Sequence, residues 1–187
     1  SVLGYKQDTP WTNEEVQSLY DANINEIRID EVGSVIDELD KNEHLSYTIY
    51  QSSENNKVTG YAIPIAGKGL WGTMYGYFAI EPDAETVKGI TFYKHKETPG
   101  LGAEVDKDWF KNNFVGKKLT NKNGELVSIE VIKGYVSDTD PDAPHKVDGI
   151  SGATITGTGL TTFLKSDLQK YEPYFAKVRS VNQIESL

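Results

Sequence analysis

The sequence of 187 residues contains no cysteine. Disulfides, Cys-ligated zinc and iron–sulfur clusters are therefore excluded within this chain. No apolar run approaches the roughly 18 residues of a membrane-spanning helix, and no signal peptide is visible. The chain begins at Ser1 and not at Met, as a processed protein or an excised fragment would. Positive charge is scarce: 19 Lys and Arg face 28 Asp and Glu, a net charge of −9, and the pI is about 4.8. So acidic a surface repels phosphate backbones, which argues against general nucleic-acid binding. The remaining composition, 37% hydrophobic and 25% charged with a mean hydropathy of −0.49, is that of a globular protein with room for one sizeable core.

Local patterns place the elements. Thr12 followed by Glu15 is a capping-box pattern and predicts a short helix over residues 11–22. Asp37 to Asn42 reads as a turn. Leu45, Tyr47 and Ile49 alternate with polar residues, as in a half-buried strand. Further strands are expected at Val58–Ala66, Met74–Ile80, Val87–Tyr93 and Leu126–Val136. Pro64 marks the first of these as an edge or a strand end. Asp106 is placed to cap a short helix carrying Phe110 and Phe114. From Gly159 the period changes: Leu160, Phe163, Leu164, Leu168 and Tyr171 form one apolar helical face, ending near Pro173. Strands with turn-rich links and helices near both ends make an α+β domain.

Several familiar sites are absent. His44, His95 and His145 are scattered without metal-site spacing. Asp138, Asp140 and Asp142 imitate the start of a calcium loop, but Ala143 and Gly149 stand where it needs Gly and Glu. Gly149 to Ala153 nearly spells a nucleophile elbow, yet no histidine follows His145 to complete a triad. There is no Gly-x-Gly-x-x-Gly and no Walker loop, so NADH and nucleotide triphosphates have no recognisable seat.

What stands out is Asp148-Gly149-Ile150-Ser151-Gly152-Ala153-Thr154-Ile155-Thr156, just ahead of the amphipathic helix. Its small residues leave the backbone uncrowded, and a helix N-terminus offers free N–H groups to a phosphate. On physics alone an ordinary Ser/Thr-rich helix entry is the favoured explanation. The pattern, however, resembles the Asp-x-x-Ser-Gly-Ala-Thr motif of the FMN-binding domain family. His95-Lys96-Glu97-Thr98-Pro99-Gly100-Leu101-Gly102 and Gly69-Leu70-Trp71-Gly72-Thr73-Met74-Tyr75-Gly76 resemble two further segments of the same domain, in the same order. The likeness covers residues 67–172 of a single domain over 1–187, with residues 1–66 only loosely matched.

The resemblance implies a twisted, mainly antiparallel sheet with flanking helices. It implies FMN joined by a phosphodiester to Thr154, with Thr156 the competing acceptor. Asp148, Ser151, Gly152 and Ala153 would complete the attachment motif. Thr98 and the backbone N–H groups of Gly100, Leu101 and Gly102 would meet the polar edge of the ring, with Leu101, Leu70 and Trp71 as apolar walls. Core packing explains Leu70 and Trp71 about as well, and Thr98 also suits a plain turn. An unassisted threonine is a weak nucleophile, so a separate flavin transferase is implied as maturation partner. Gly-Leu-Trp and Glu81-Pro82-Asp83 resemble the flavin-carrying subunits of sodium-translocating NADH:quinone reductases more than those of Rnf-type electron transport complexes. That branch implies a non-autonomous electron-transfer subunit among other reductase subunits. It would be held at the inner membrane by an N-terminal helix cut off from this chain, with its soluble domain on the periplasmic side. A freestanding flavin reductase would need a substrate pocket with an acid–base pair, which no motif provides. A flavin-free adaptor would have no use for the intact attachment motif.

Overall fold

The computed structural model describes residues 11–36 and 45–185. The turn expected at Asp37–Asn42, and His44, lie outside the described residues. The first helix, α1 (Asn13–Asn23), has the capping box its sequence announces: the Glu15 amide donates to Thr12 Oγ1 at 3.2 Å and the Thr12 amide to Glu15 Oε2 at 2.8 Å. Five antiparallel strands follow in simple meander order: β1 (Ile24–Ile29), β2 (Tyr47–Glu54), β3 (Lys57–Lys68), β4 (Thr73–Ile80) and β5 (Val87–Lys94). Asn55 and Asn56, with φ of 51° and 63°, supply the left-handed pair that a tight β2–β3 hairpin requires. A short helix, α2 (Asp108–Asn112), and a two-stranded parallel pair, β6 (Glu130–Val131) with β7 (Lys146–Val147), lead to the long helix α3 (Thr154–Glu185).

One face of the sheet is apolar, and α3 covers it. Tyr61, Ile63, Ile65, Phe78 and Ile80 share a buried cluster with Leu160, Leu164, Leu168 and Phe175. The opposite face carries a row of tyrosines: Tyr20 and Tyr50 have ring centroids 6.5 Å apart, Tyr50 and Tyr77 5.9 Å, and Tyr77 and Tyr93 5.6 Å. Burial pushes the Tyr61 phenol up to about 12 and raises those of Tyr171 and Tyr174 as well. Their stabilising effect is complete below the ordinary tyrosine pKa of about 10 and is lost as pH rises through the folded values. Thermal melts should therefore hold steady up to about pH 9 and fall progressively above pH 10. A melting temperature unchanged at pH 11 would contradict this.

Four expectations need correction. The strand bearing Pro64 does not end there. It runs to Lys68 and is third of the five in sheet order. Proline is tolerated because β2 pairs with β3 only as far as Ala62. Alternate residues aim their N–H groups the same way. Ala66, two residues on, donates its N–H to Asp167 of α3 at 2.8 Å and not to a strand. The N–H that Pro64 lacks would point into that same strand-free side.

Helix α3 starts at Thr154, five residues before the expected Gly159, and passes through Pro173. Proline inside a helix costs about 3 kcal/mol. Beyond it, Phe175 is buried, Lys177 Nζ donates to the carbonyls of Val32 and Gly33, and Arg179 reaches the Ala84 carbonyl. A buried phenylalanine alone offsets about 1.5–3 kcal/mol.

The expected strand at Leu126–Val136 shrinks to Glu130–Val131. Ser128 takes φ +69°, and the amides of Val127 and Ser128 both donate to the Leu119 carbonyl, so the backbone turns there. Asp106 caps nothing. Its carboxylate meets His95 Nε2 at 2.7 Å, and α2 begins after Lys107 without a side-chain cap.

Candidate functional site

Three loops converge on the first turns of α3. The helix comes close to the end of β3 because glycines remove the obstacles. A Cβ on Gly67 would lie 2.0 Å from Phe163 Cβ, and one on Gly159 would lie 2.3 Å from the Lys68 carbonyl oxygen. Between them lies a cavity of about 410 Å³ lined by Lys68, Gly69, Thr154, Ile155, Thr158, Gly159, Thr162 and Phe163. A smaller hollow of about 180 Å³ lies against β6 and also takes in Thr154 and Thr158.

Thr154 opens α3 and is exposed at the mouth of both. Its amide and those of Ile155 and Thr156 are among the N–H groups a helix start leaves without intrahelical partners. The other hydroxyls of the larger cavity are committed: Thr158 Oγ1 donates to the Thr154 carbonyl at 3.0 Å and Thr162 Oγ1 to the Thr158 carbonyl at 2.8 Å. Thr156 points the other way. It is 1% exposed and donates its hydroxyl to Glu97 Oε2 at 2.5 Å.

Gly152 has φ +74°, and a Cβ there would lie 2.8 Å from Leu101 Cδ2, so the loop ahead of α3 and the Pro99–Gly100 turn touch at this point. Ser151 is exposed and Ala153 buried. Asp148 works as a brace: its Oδ1 accepts the Val136 amide at 2.8 Å, which holds the loop bearing the exposed Tyr135.

In the Pro99–Gly100 turn, Thr98 is exposed and its carbonyl accepts the amides of Leu101 and Ala103, each at 3.1 Å. The Leu101 N–H is thus spent within the turn and is not free for a ligand. Gly100 has φ +74° and open space around it, while Gly102 is buried. Leu101 is exposed on the same side. Core packing does not explain Leu70 and Trp71, which are 40% and 64% exposed on the turn that follows Gly69.

Sequence reasoning left two residues of this site without a role. Glu97 was visible only as a letter of its motif, yet it is 6% exposed and accepts the Trp71 amide on Oε1 at 2.9 Å. Lys68 lines the cavity and forms no ion pair among the described residues. A lone lysine in a glycine-rich turn carries no signal until β3 places it beside Thr154.

The pattern of the FMN-binding domain matches residues 69–169. NqrC of Pseudomonas aeruginosa, from its Na(+)-translocating NADH-quinone reductase, is 40% identical over 134 residues, which are 71% of this chain and 51% of the relative. Its Haemophilus ducreyi counterpart is 42% identical over 129 residues, 68% of this chain and 48% of the relative. The chain thus spans about half the length of these curated relatives. The crystal structure of Shewanella oneidensis NqrC superimposes with a TM-score of 0.77 at 25% identity, covering 91% of this chain and 90% of that one. The crystal structure of the same reductase component from Parabacteroides distasonis gives 0.75 at 31% identity, covering 90% and 86%.

Proposed function

Because the chain belongs to the FMN-binding domain family, we propose that it is the flavin-carrying part of an NqrC protein, a component of a sodium-translocating NADH:quinone reductase, with FMN held covalently on Thr154. The supporting observation is the placement of Thr154: exposed, at a helix N-terminus, with a hydroxyl that forms no hydrogen bond among the described residues, on an apolar-lined cavity that the first turns of α3 share with Lys68 and Gly69 at the end of β3. That arrangement fits a flat, largely apolar ring tethered at one end by a phosphate.

Attachment is a phosphoryl-type transfer run by a separate flavin transferase with FAD as donor. Thr154 Oγ1 would be the atom that takes the FMN phosphoryl group from FAD, with AMP as the leaving group. The hydroxyl proton passes to the transferase. When bound, FMN supplies the electron-transfer chemistry that no protein side chain offers. The chain's own residues bind and orient it. The first amides of α3 and the ammonium of Lys68 meet the phosphate. Ile155 and Phe163 line the cavity and would offer the ring apolar contact, while the exposed Leu70, Trp71, Leu101 and Thr98, which stand outside that lining, would border any part of the ring that projects from it.

The exposure of Leu70, Trp71 and Leu101 suits a relay whose ring edge stays open to partner subunits. Among the described residues no helix is long and apolar enough to cross a membrane. In the proposed assembly, attachment to the inner membrane on its periplasmic side belongs to the part of NqrC outside the matched region. The flavin-loaded chain mixed with NADH is expected to stay oxidised, and to be bleached by a small-molecule reductant. Rapid NADH turnover by the isolated chain would instead identify a freestanding reductase.

A further inference from the structure

Glu97 joins the three segments of the site through one carboxylate. It sits between two glycines: a Cβ on Gly69 would lie 2.6 Å from Oε1, and one on Gly102 would lie 2.5 Å from Oε2. Oε1 accepts the Trp71 amide at 2.9 Å, which fixes the Leu70–Trp71 turn. Oε2 accepts the Thr156 hydroxyl at 2.5 Å, which fixes the first turn of α3. The Glu97 amide itself donates to His95 Nδ1 at 3.1 Å, and His95 is held in turn by Asp106. We propose that Glu97 is a positioning residue that makes Thr154 the flavin acceptor, by sequestering the hydroxyl of Thr156 and locking the α3 entry so that Thr154 faces the cavity.

The proposal rests on the reading of Thr154 as the attachment site. Successive helical residues are about 100° apart, so Thr154 and Thr156 face nearly opposite sides of α3. With Glu97 in place the inner hydroxyl is buried and donates to a carboxylate, and the outer one forms no hydrogen bond among the described residues. Without it, the Trp71 amide and the Thr156 hydroxyl both lose their acceptor. The helix entry can then roll, and two threonines two residues apart become comparable candidates.

The test compares wild type, Glu97→Ala and Glu97→Gln, each made beside a flavin transferase and mapped by peptide mass. Glutamine can still accept the Trp71 amide on its oxygen and can donate its amide hydrogen to Thr156 Oγ1. Glu97→Gln is expected to load flavin on Thr154 within about twofold of wild type. Glu97→Ala is expected to lose about tenfold or more of its loading at Thr154, the scale of a lost charge-assisted hydrogen bond, with flavin appearing on Thr156. Amide exchange at Trp71 should quicken in Glu97→Ala and not in Glu97→Gln. If Glu97→Ala does not fold, Glu97→Asp replaces it, since the shorter side chain cannot span both contacts. Wild-type loading on a residue other than Thr154 overturns the attachment reading itself. Wild-type loading on Thr154, with the Ala or Asp variant loading Thr154 equally well, overturns this proposal alone.

Discussion

Thr154→Ala, made beside a flavin transferase, is expected to carry no covalent flavin: no fluorescent band after denaturation and no flavin-bearing peptide. The effect should be all or nothing, because the neighbouring hydroxyls cannot substitute. Thr156 is buried and bound to Glu97. Thr158 and Thr162 share the cavity wall, but each hydroxyl bonds the carbonyl one turn back and lies one or two turns from the helix start. The partial positive charge of a helix end falls off within its first turn, so a phosphate placed at those positions would lose its support. Thr154→Ser keeps the hydroxyl and should retain most of the loading. A Thr154→Ala chain that stays yellow, with the flavin mapped to Thr156, would reverse the assignment of the two threonines.

The second large effect concerns the frame. Gly67→Ala is expected to cost about 3 kcal/mol or more, the upper range for overpacking, and to lower the melting temperature by about 6–12 °C. The added methyl would fall 2.0 Å from Phe163 Cβ, an atom too close to the backbone of α3 to swing aside. Phe163→Ala alone should cost about 3–5 kcal/mol through the cavity it leaves. In the double variant the ring atoms that would lie 2.2 and 2.5 Å from the new methyl are gone, but alanine at 163 keeps the Cβ, so the combined loss should fall short of the sum by only about 0.5–1 kcal/mol. Additive losses would show that strand and helix do not meet through this pair.

The frame and the site differed in how far they could be read from residues. The capping box at Thr12, strands β4 and β5, and the apolar stripe of α3 follow local rules of spacing and stand where those rules place them, whereas β2 starts only at Tyr47, past the exposed Leu45, and runs on to Glu54. The errors arose where distant residues decide. Pro64 reads as a strand end until Asp167, far along the chain, is seen to satisfy the N–H of Ala66. The start of α3 hides behind Gly157 and Gly159, each a poor helix former by about 1 kcal/mol. Their use appears only when β3 and β6 press against them. At the site, motif spelling brought together Thr154, Leu101 and Trp71 without geometry. It could not separate Thr154 from Thr156, which differ in what surrounds them and not in chemistry. Glu97 and Lys68 became legible only once three loops had folded to one place.

The far end of β3 has a consequence for how the molecule behaves among copies of itself. Strands with unclaimed backbone groups act as templates for other chains and seed insoluble, fibre-like association. Past Ala62 the side of β3 that faced β2 has lost its neighbour. There Pro64 has no hydrogen to offer, and the hydrogen of Ala66 is already held by a carboxylate from the same molecule. An incoming strand would find no donor at Pro64 and, at Ala66, a donor already held by Asp167, whose other oxygen is paired with Lys170 at 2.6 Å. With Asp167 replaced by alanine, that stretch would present a live backbone donor, and the protein should turn cloudy at concentrations where the parent stays clear. On that outcome Asp167 would guard against self-templating, a role separate from its part in seating α3.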